Sequence, residues 1–177
     1  MKKNGLLSIL LVFAVIALSG CSGHAWQKGS DKSVMTYHAE DSQDPILKEV
    51  SSVDYRWKIS DKNDSTAAAT LEFTVHEGKN RYKASASGAI TENVLPSGKI
   101  LWEGPLDGTI SMNGNQIPLI CSFVKLGSDD KVQVSVTFPS SVTGGSALPL
   151  FMSFGEAVIT EEIHQELQQM QQGHPLP

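Results

Sequence analysis

The sequence predicts an all-β domain: an antiparallel sandwich or partly closed barrel of about seven to eight strands, followed by a short C-terminal helix. Three observations carry this. Beyond Pro45, apolar residues recur at every second position, turn residues interrupt these runs at short intervals, and no stretch between them has the 3.6-residue period of a crossover helix. Helical periodicity emerges only after Thr160.

Taken in order, the first clear strand places Val53, Tyr55 and Trp57 on one face and Asp54, Arg56 and Lys58 on the other. Leu71, Phe73 and Val75 alternate in the same way with Glu72, Thr74 and His76, and Glu77-Gly78-Lys79-Asn80 then turns the chain into Tyr82, Ala84 and Ala86. The run from Lys99 to Met112 is interrupted by Gly104-Pro105 and Gly108, which makes it two strands or one strand bent at a bulge. Asn113-Gly114 lies between Ile110, Met112 and Ile117, Leu119, the pattern of a two-residue hairpin whose type I′ turn needs positive φ at both central residues. A second hairpin is expected where Phe123 to Leu126 meets Gly127-Ser128-Asp129-Asp130 and returns as Val132, Val134, Val136 and Phe138. After Pro139 a loop is expected over 140–146, and 147–159 can supply a last apolar strand or two.

Thr160 followed by Glu161 and Glu162 reads as an N-cap with acids in the first helical turn, and Gly173 and Pro175 stop the helix. Ile163, Leu167 and Met170 form one narrow apolar stripe on its Gln-rich surface. Docking on the chain's own domain is the ordinary use of such a stripe; a partner surface made of these three residues is the alternative.

The segment 22–45 shows no sustained period of 2 or 3.6 and reads as a flexible tether. Trp26 and Tyr37 are its only large aromatic residues, and packing against the domain is their plainest role. Upstream, Met1-Lys2-Lys3-Asn4 is followed by an uncharged apolar run of about a dozen residues and then by small residues, the layout of a secretion signal. The run is shorter than the roughly 20 residues a spanning helix needs.

Leu18-Ser19-Gly20-Cys21 resembles the lipobox of bacterial lipoproteins, with Leu at −3, small residues at −2 and −1 and Cys at +1. The resemblance covers 21 of the 177 residues and implies that the leader is cut before Cys21, whose thiol carries a diacylglyceryl group and whose new amino group is acylated, with palmitate among the acyl chains. Several such chains hold a protein on a membrane essentially permanently. Ser22 at +2, where Asp would signal inner-membrane retention, implies sorting to the outer membrane, facing the periplasm, in a Gram-negative host. The expected organisation is thus a signal peptide (1–20), a lipidated tether (21–45), a β domain (46–160) and a C-terminal helix with its tail (161–177).

Loss of Lys2 and Lys3 with the leader leaves 12 basic side chains against 19 acidic ones, a net charge near −7. That balance excludes a nucleic-acid binder, which needs a basic face. The five histidines (His24, His38, His76, His164 and His174) lack metal-ligand spacing, there is no Cys-x-x-Cys, and Met35, Met112, Met152 and Met170 do not cluster as a copper carrier's would. No metal, catalytic residue or cofactor is expected. Gly144-Gly145-Ser146 lacks the closing glycine and following helix of a nucleophile elbow, and the acids that could pair for glycoside chemistry, such as Glu103, Asp107, Asp129 and Asp130, fall mostly at turns. With Cys21 acylated, Cys121 is expected to be a buried free thiol. The functional expectation is a non-catalytic lipoprotein that binds another envelope protein as an assembly or piloting module, with a lipid or small apolar ligand carrier and an unrecognised hydrolase as alternatives.

Overall fold

A computed structural model describes residues 25–38, 45–127, 129–138 and 151–172, with backbone alone for 34–38 and 45–51. The signal peptide, Cys21 and Ser22 lie outside the described residues. Eight antiparallel strands are present among those described: β1 (Gln27–His38), β2 (Pro45–Asn63), β3 (Thr66–Glu77), β4 (Asn80–Val94), β5 (Ile100–Met112), β6 (Asn115–Leu126), β7 (Val132–Thr137) and β8 (Phe151–Gly155). Each pairs with the next, and β8 returns to pair with β1, so the sheet closes as an up-and-down barrel. One helix, α1 (Glu161–Gln172), follows β8.

The period-2 pattern is what puts the core inside. On β3, Ala67, Ala69, Leu71, Phe73 and Val75 are all buried, while the residues between them face outward. The interior is filled by rings from facing walls. Trp57 on β2 and Phe123 on β6 stand four strands apart, yet their centroids are 6.0 Å apart in an edge-on arrangement. Phe154 on β8 packs against Phe73 on β3 at 5.1 Å and Tyr55 on β2 at 5.3 Å.

Small residues on β3 to β5 make room for these rings. At the bend that Gly104-Pro105 imposes, the β4–β5 pairing is interrupted between Ser87↔Asp107 and Thr91↔Glu103 without any change of register. A Cβ on Gly88 would lie 2.4 Å from the Pro105 carbonyl oxygen, and one on Gly104 would lie 2.5 Å from that of Ala89, so the two backbones meet there with no room for side chains. The run from Lys99 to Met112 is therefore one bent strand. The Asn113-Gly114 hairpin has φ of 50° and 81°, both positive as a type I′ turn requires.

The expected tether at 21–45 is corrected over 27–38, because Gln27–His38 is strand β1 and pairs with β2 from Gln27↔Trp57 to His38↔Pro45. Two local features hide this strand's period. A bulge between Asp31 and Ser33 shifts the register. Gly29 faces inward where an apolar residue would be expected, and a Cβ there would come within 2.3 Å of the Tyr55 ring, so β2 fills this part of the interior on behalf of β1.

Candidate functional site

Among the described residues, polar groups gather in a defined geometry at the outer wall under α1, at the polar row across β1 to β3, and at a cleft where β8 leaves β1.

Thr160 caps α1, its hydroxyl accepting from the Ile163 N–H at 3.4 Å. The helix lies on the outside of the barrel. Ile163 is buried and Leu167 half-buried against Leu95, Leu101, Val124 and Val158, a second apolar cluster distinct from the barrel interior. Leu101 and Val124 occupy outward positions on β5 and β6, and the helix is what covers them. Polar contacts fix its angle: Lys99 pairs with Glu162 at 2.8 Å, and the Ser97 N–H donates to Glu166 at 2.8 Å. Hydrogen bonds from Ser97 hold the Glu166 carboxyl below the usual carboxylate range. Of the stripe Ile163, Leu167 and Met170, the first two are engaged with the chain's own barrel and Met170 is exposed.

On the outer face of β1 to β3, the Ser30 hydroxyl donates to Asp54 Oδ1 at 2.7 Å, and His76 Nε2 lies 2.8 Å from Asp54 Oδ2. The bond from Ser30, then that from His76, lowers the Asp54 pKa. The residue types are those of a catalytic triad, but the carboxylate stands in the middle. A nucleophilic serine needs the imidazole next to its hydroxyl to take the proton, and here the hydroxyl points at the carboxylate instead. Among the described residues no group of three His, Cys, Asp or Glu side chains is gathered to hold a metal ion, and no helix is long and apolar enough to cross a membrane.

The cleft lies at the end of the barrel where the chain enters β1. There β1 and β8 separate: β8 pairs with β1 only from Val34↔Ser153 to Thr36↔Phe151 and ends at Gly155, whose φ of 88° turns the chain away. The Gly155 N–H donates to Asp31 Oδ2 at 2.9 Å, which pins the point of departure. Beyond it, Val158 and Ile159 donate their N–H groups to the Gln133 side-chain oxygen as the chain passes toward α1. The cleft measures about 490 Å³, with Gly29, Asp31, Tyr55 and Trp57 on one side and Asp129, Asp130 and Glu156 among the residues on the other. Burial, with Asp31 and Glu156 nearby, raises the Tyr55 pKa.

Beneath the Asp129–Lys131 loop, Lys125 reaches into the end of the barrel. Its ammonium donates to the carbonyls of Leu126, Gly127 and Asp129 at 3.1, 2.7 and 2.5 Å and lies 5.5 Å from the centroid of the Trp57 ring. Desolvation lowers its pKa even so. Lys125 thus caps the interior and holds the loop, and the sequence hints at it only through a charge at the inward position that follows Cys121 and Phe123 on β6. Nearby, Trp26 packs on the outer wall under Arg56 at 4.6 Å and Lys58 at 5.1 Å.

Cys121 is fully buried on β6, and desolvation pushes its thiol up to about 12. The thiolate is the reactive form, so the native protein at pH 8 is expected to resist Ellman's reagent and to react once unfolded in urea. Rapid labelling of the native state would contradict this burial. Because the folded pKa is raised, the thiol's contribution to stability is complete below the unfolded value near 8.5 and is lost as pH climbs from there toward 12. Alkaline unfolding should accordingly be less steep in Cys121→Ala.

The chain matches no protein-family model, no curated protein and no solved structure.

Proposed function

We propose that this protein is an outer-membrane-anchored, periplasm-facing lipoprotein whose barrel is a non-catalytic protein-binding module of the cell envelope, serving assembly or piloting. The lipobox at Leu18-Ser19-Gly20-Cys21 supports the anchor. The observation that favours a binding module over a ligand carrier is the contact between Trp57 and Phe123, since rings from facing walls at 6.0 Å occupy the space a carrier would reserve for its cargo. The order of Ser30, Asp54 and His76 gives the hydrolase reading no activated hydroxyl.

The anchor and the barrel are close together. Gln27 begins β1 six residues after Cys21, so the link can span at most about 20 Å. Lipidation would hold that end of the barrel, with the cleft beside β1, near the bilayer surface. Cys21→Ser is expected to lose essentially all incorporation of a palmitate analogue, because both acylation steps depend on that residue. Label retained in the variant would contradict the proposal.

A further inference from the structure

We infer that the edge of β1 at Gln27–Asp31 is a docking strip for an extended segment of a partner protein, alternately apolar and basic, which adds as a strand between β1 and the loop carrying Asp129 and Asp130. This rests on the reading of the protein as a protein-binding module and supplies the chemistry of what it binds.

The backbone makes the first argument. From Gln27 to Asp31 the strand pairs with β2 on one side, while β8 reaches it only at Val34–Thr36. In an antiparallel ladder alternate residues turn their N–H and C=O groups away from the paired neighbour, so in this half of β1 those groups face the cleft. An edge with unpaired groups is the template onto which a further strand adds. The chain's own β8 is kept from adding there: the positive φ of Gly155 turns the strand aside and Asp31 accepts from its N–H.

The walls of the cleft select the occupant. Tyr55 and Trp57 line the β1 side and suit the apolar side chains of an added strand, which alternate in direction with its remaining ones. Those remaining side chains meet the acidic lip. Asp129 and Asp130 are exposed, Glu156 is paired with Lys131 at 2.9 Å, and the nearby Lys125 ammonium is spread over three carbonyls beneath the loop. The lining carries Asp31, Asp129, Asp130 and Glu156 against Lys28 and Lys131, so its balance is acidic and basic side chains complement it. A second copy of this chain, with a net charge near −7 once the leader is removed, does not.

The test uses the mature lipidated protein in detergent micelles and three synthetic heptapeptides: alternating valine and lysine, the same with glutamate for lysine, and the lysine peptide N-methylated at alternate backbone nitrogens. The lysine peptide is expected to slow amide hydrogen exchange in Gln27–Asp31 by about tenfold or more at saturation, with affinity falling as salt rises. The glutamate and N-methylated peptides should give no such protection. Asp129→Asn combined with Asp130→Asn, which removes the charge of the lip without adding cations beside the Lys125 ammonium, should weaken the lysine peptide about tenfold while cooperative urea unfolding is retained. Unaltered exchange at Gln27–Asp31, or equal protection by the glutamate peptide, would overturn the inference.

In intact cells, a photo-crosslinking residue at Lys28, beside the cleft, is expected to capture a protein, whether or not one at Thr109 on the far wall does so. Adducts at Thr109 alone would overturn the docking strip but leave the binding module standing. Adducts at neither position would overturn both.

Discussion

A chain that starts at Ile46 is expected not to fold. It keeps every strand with a legible period but lacks β1, the strand that closes β8 onto β2. Without β1, Val53 and Trp57 on β2 and Met152 and Phe154 on β8, all at most 4% exposed in the closed barrel, lose the wall between them. Complete burial of such side chains is worth about 1.5 to 3 kcal/mol each, so even partial exposure of four costs about 5 kcal/mol. That is comparable with the whole stability of an ordinary domain. The two opened edges would also invite aggregation. A chain starting at Trp26 should retain a cooperative urea transition, whereas the one starting at Ile46 should show none; equal transitions would mean that β1 does not close the barrel.

Removing everything from Glu161 onward is expected to lower Tm by about 10 °C while leaving the barrel folded. The helix covers Leu95, Leu101 and Val124 on the outer wall, and their exposure, with the loss of Ile163 from the same cluster, amounts to about 4 kcal/mol. For a domain of this size each kcal/mol moves Tm by about 2 to 4 °C. The interior cluster from Val53 to Phe154 does not include these residues, so the far-UV spectrum should stay that of a β protein and binding of a hydrophobic dye should rise. An unchanged Tm would mean that Ile163 and Leu167 contribute no burial and that their face is free.

What could be read in advance follows from how each element is buried. Strands β2 to β4, β6 and β7 each bury one face in the interior and show it as alternation, so they were legible. Helix α1 was legible through its cap and its stripe. Strand β1 was not, because Lys32 sits in a bulge and Gly29 yields its interior volume to Tyr55. Whether the sheet is a sandwich or a barrel depends on the pairing of β1 with β8, so missing β1 left that choice open.

The cleft escaped for a related reason. It is defined by where β8 stops, at a glycine whose positive φ and close approach to Val132 are tertiary facts, and by a lysine that faces inward only because the barrel ends there. The one trace of it in the sequence is Lys125 itself, a charge at the inward position that continues Cys121 and Phe123.

The proposed role is that of a lipid-anchored barrel that binds protein and carries no cargo. Native mass spectrometry of the mature protein released from its own membrane distinguishes it from a carrier. The expected mass is that of the chain from Cys21 with its covalent acyl groups, alone or with a protein partner, with no small molecule retained on gentle activation. A stoichiometric noncovalent lipid that survives delipidation of the micelle would contradict it, because a cargo inside the barrel would have to displace the contact between Trp57 and Phe123.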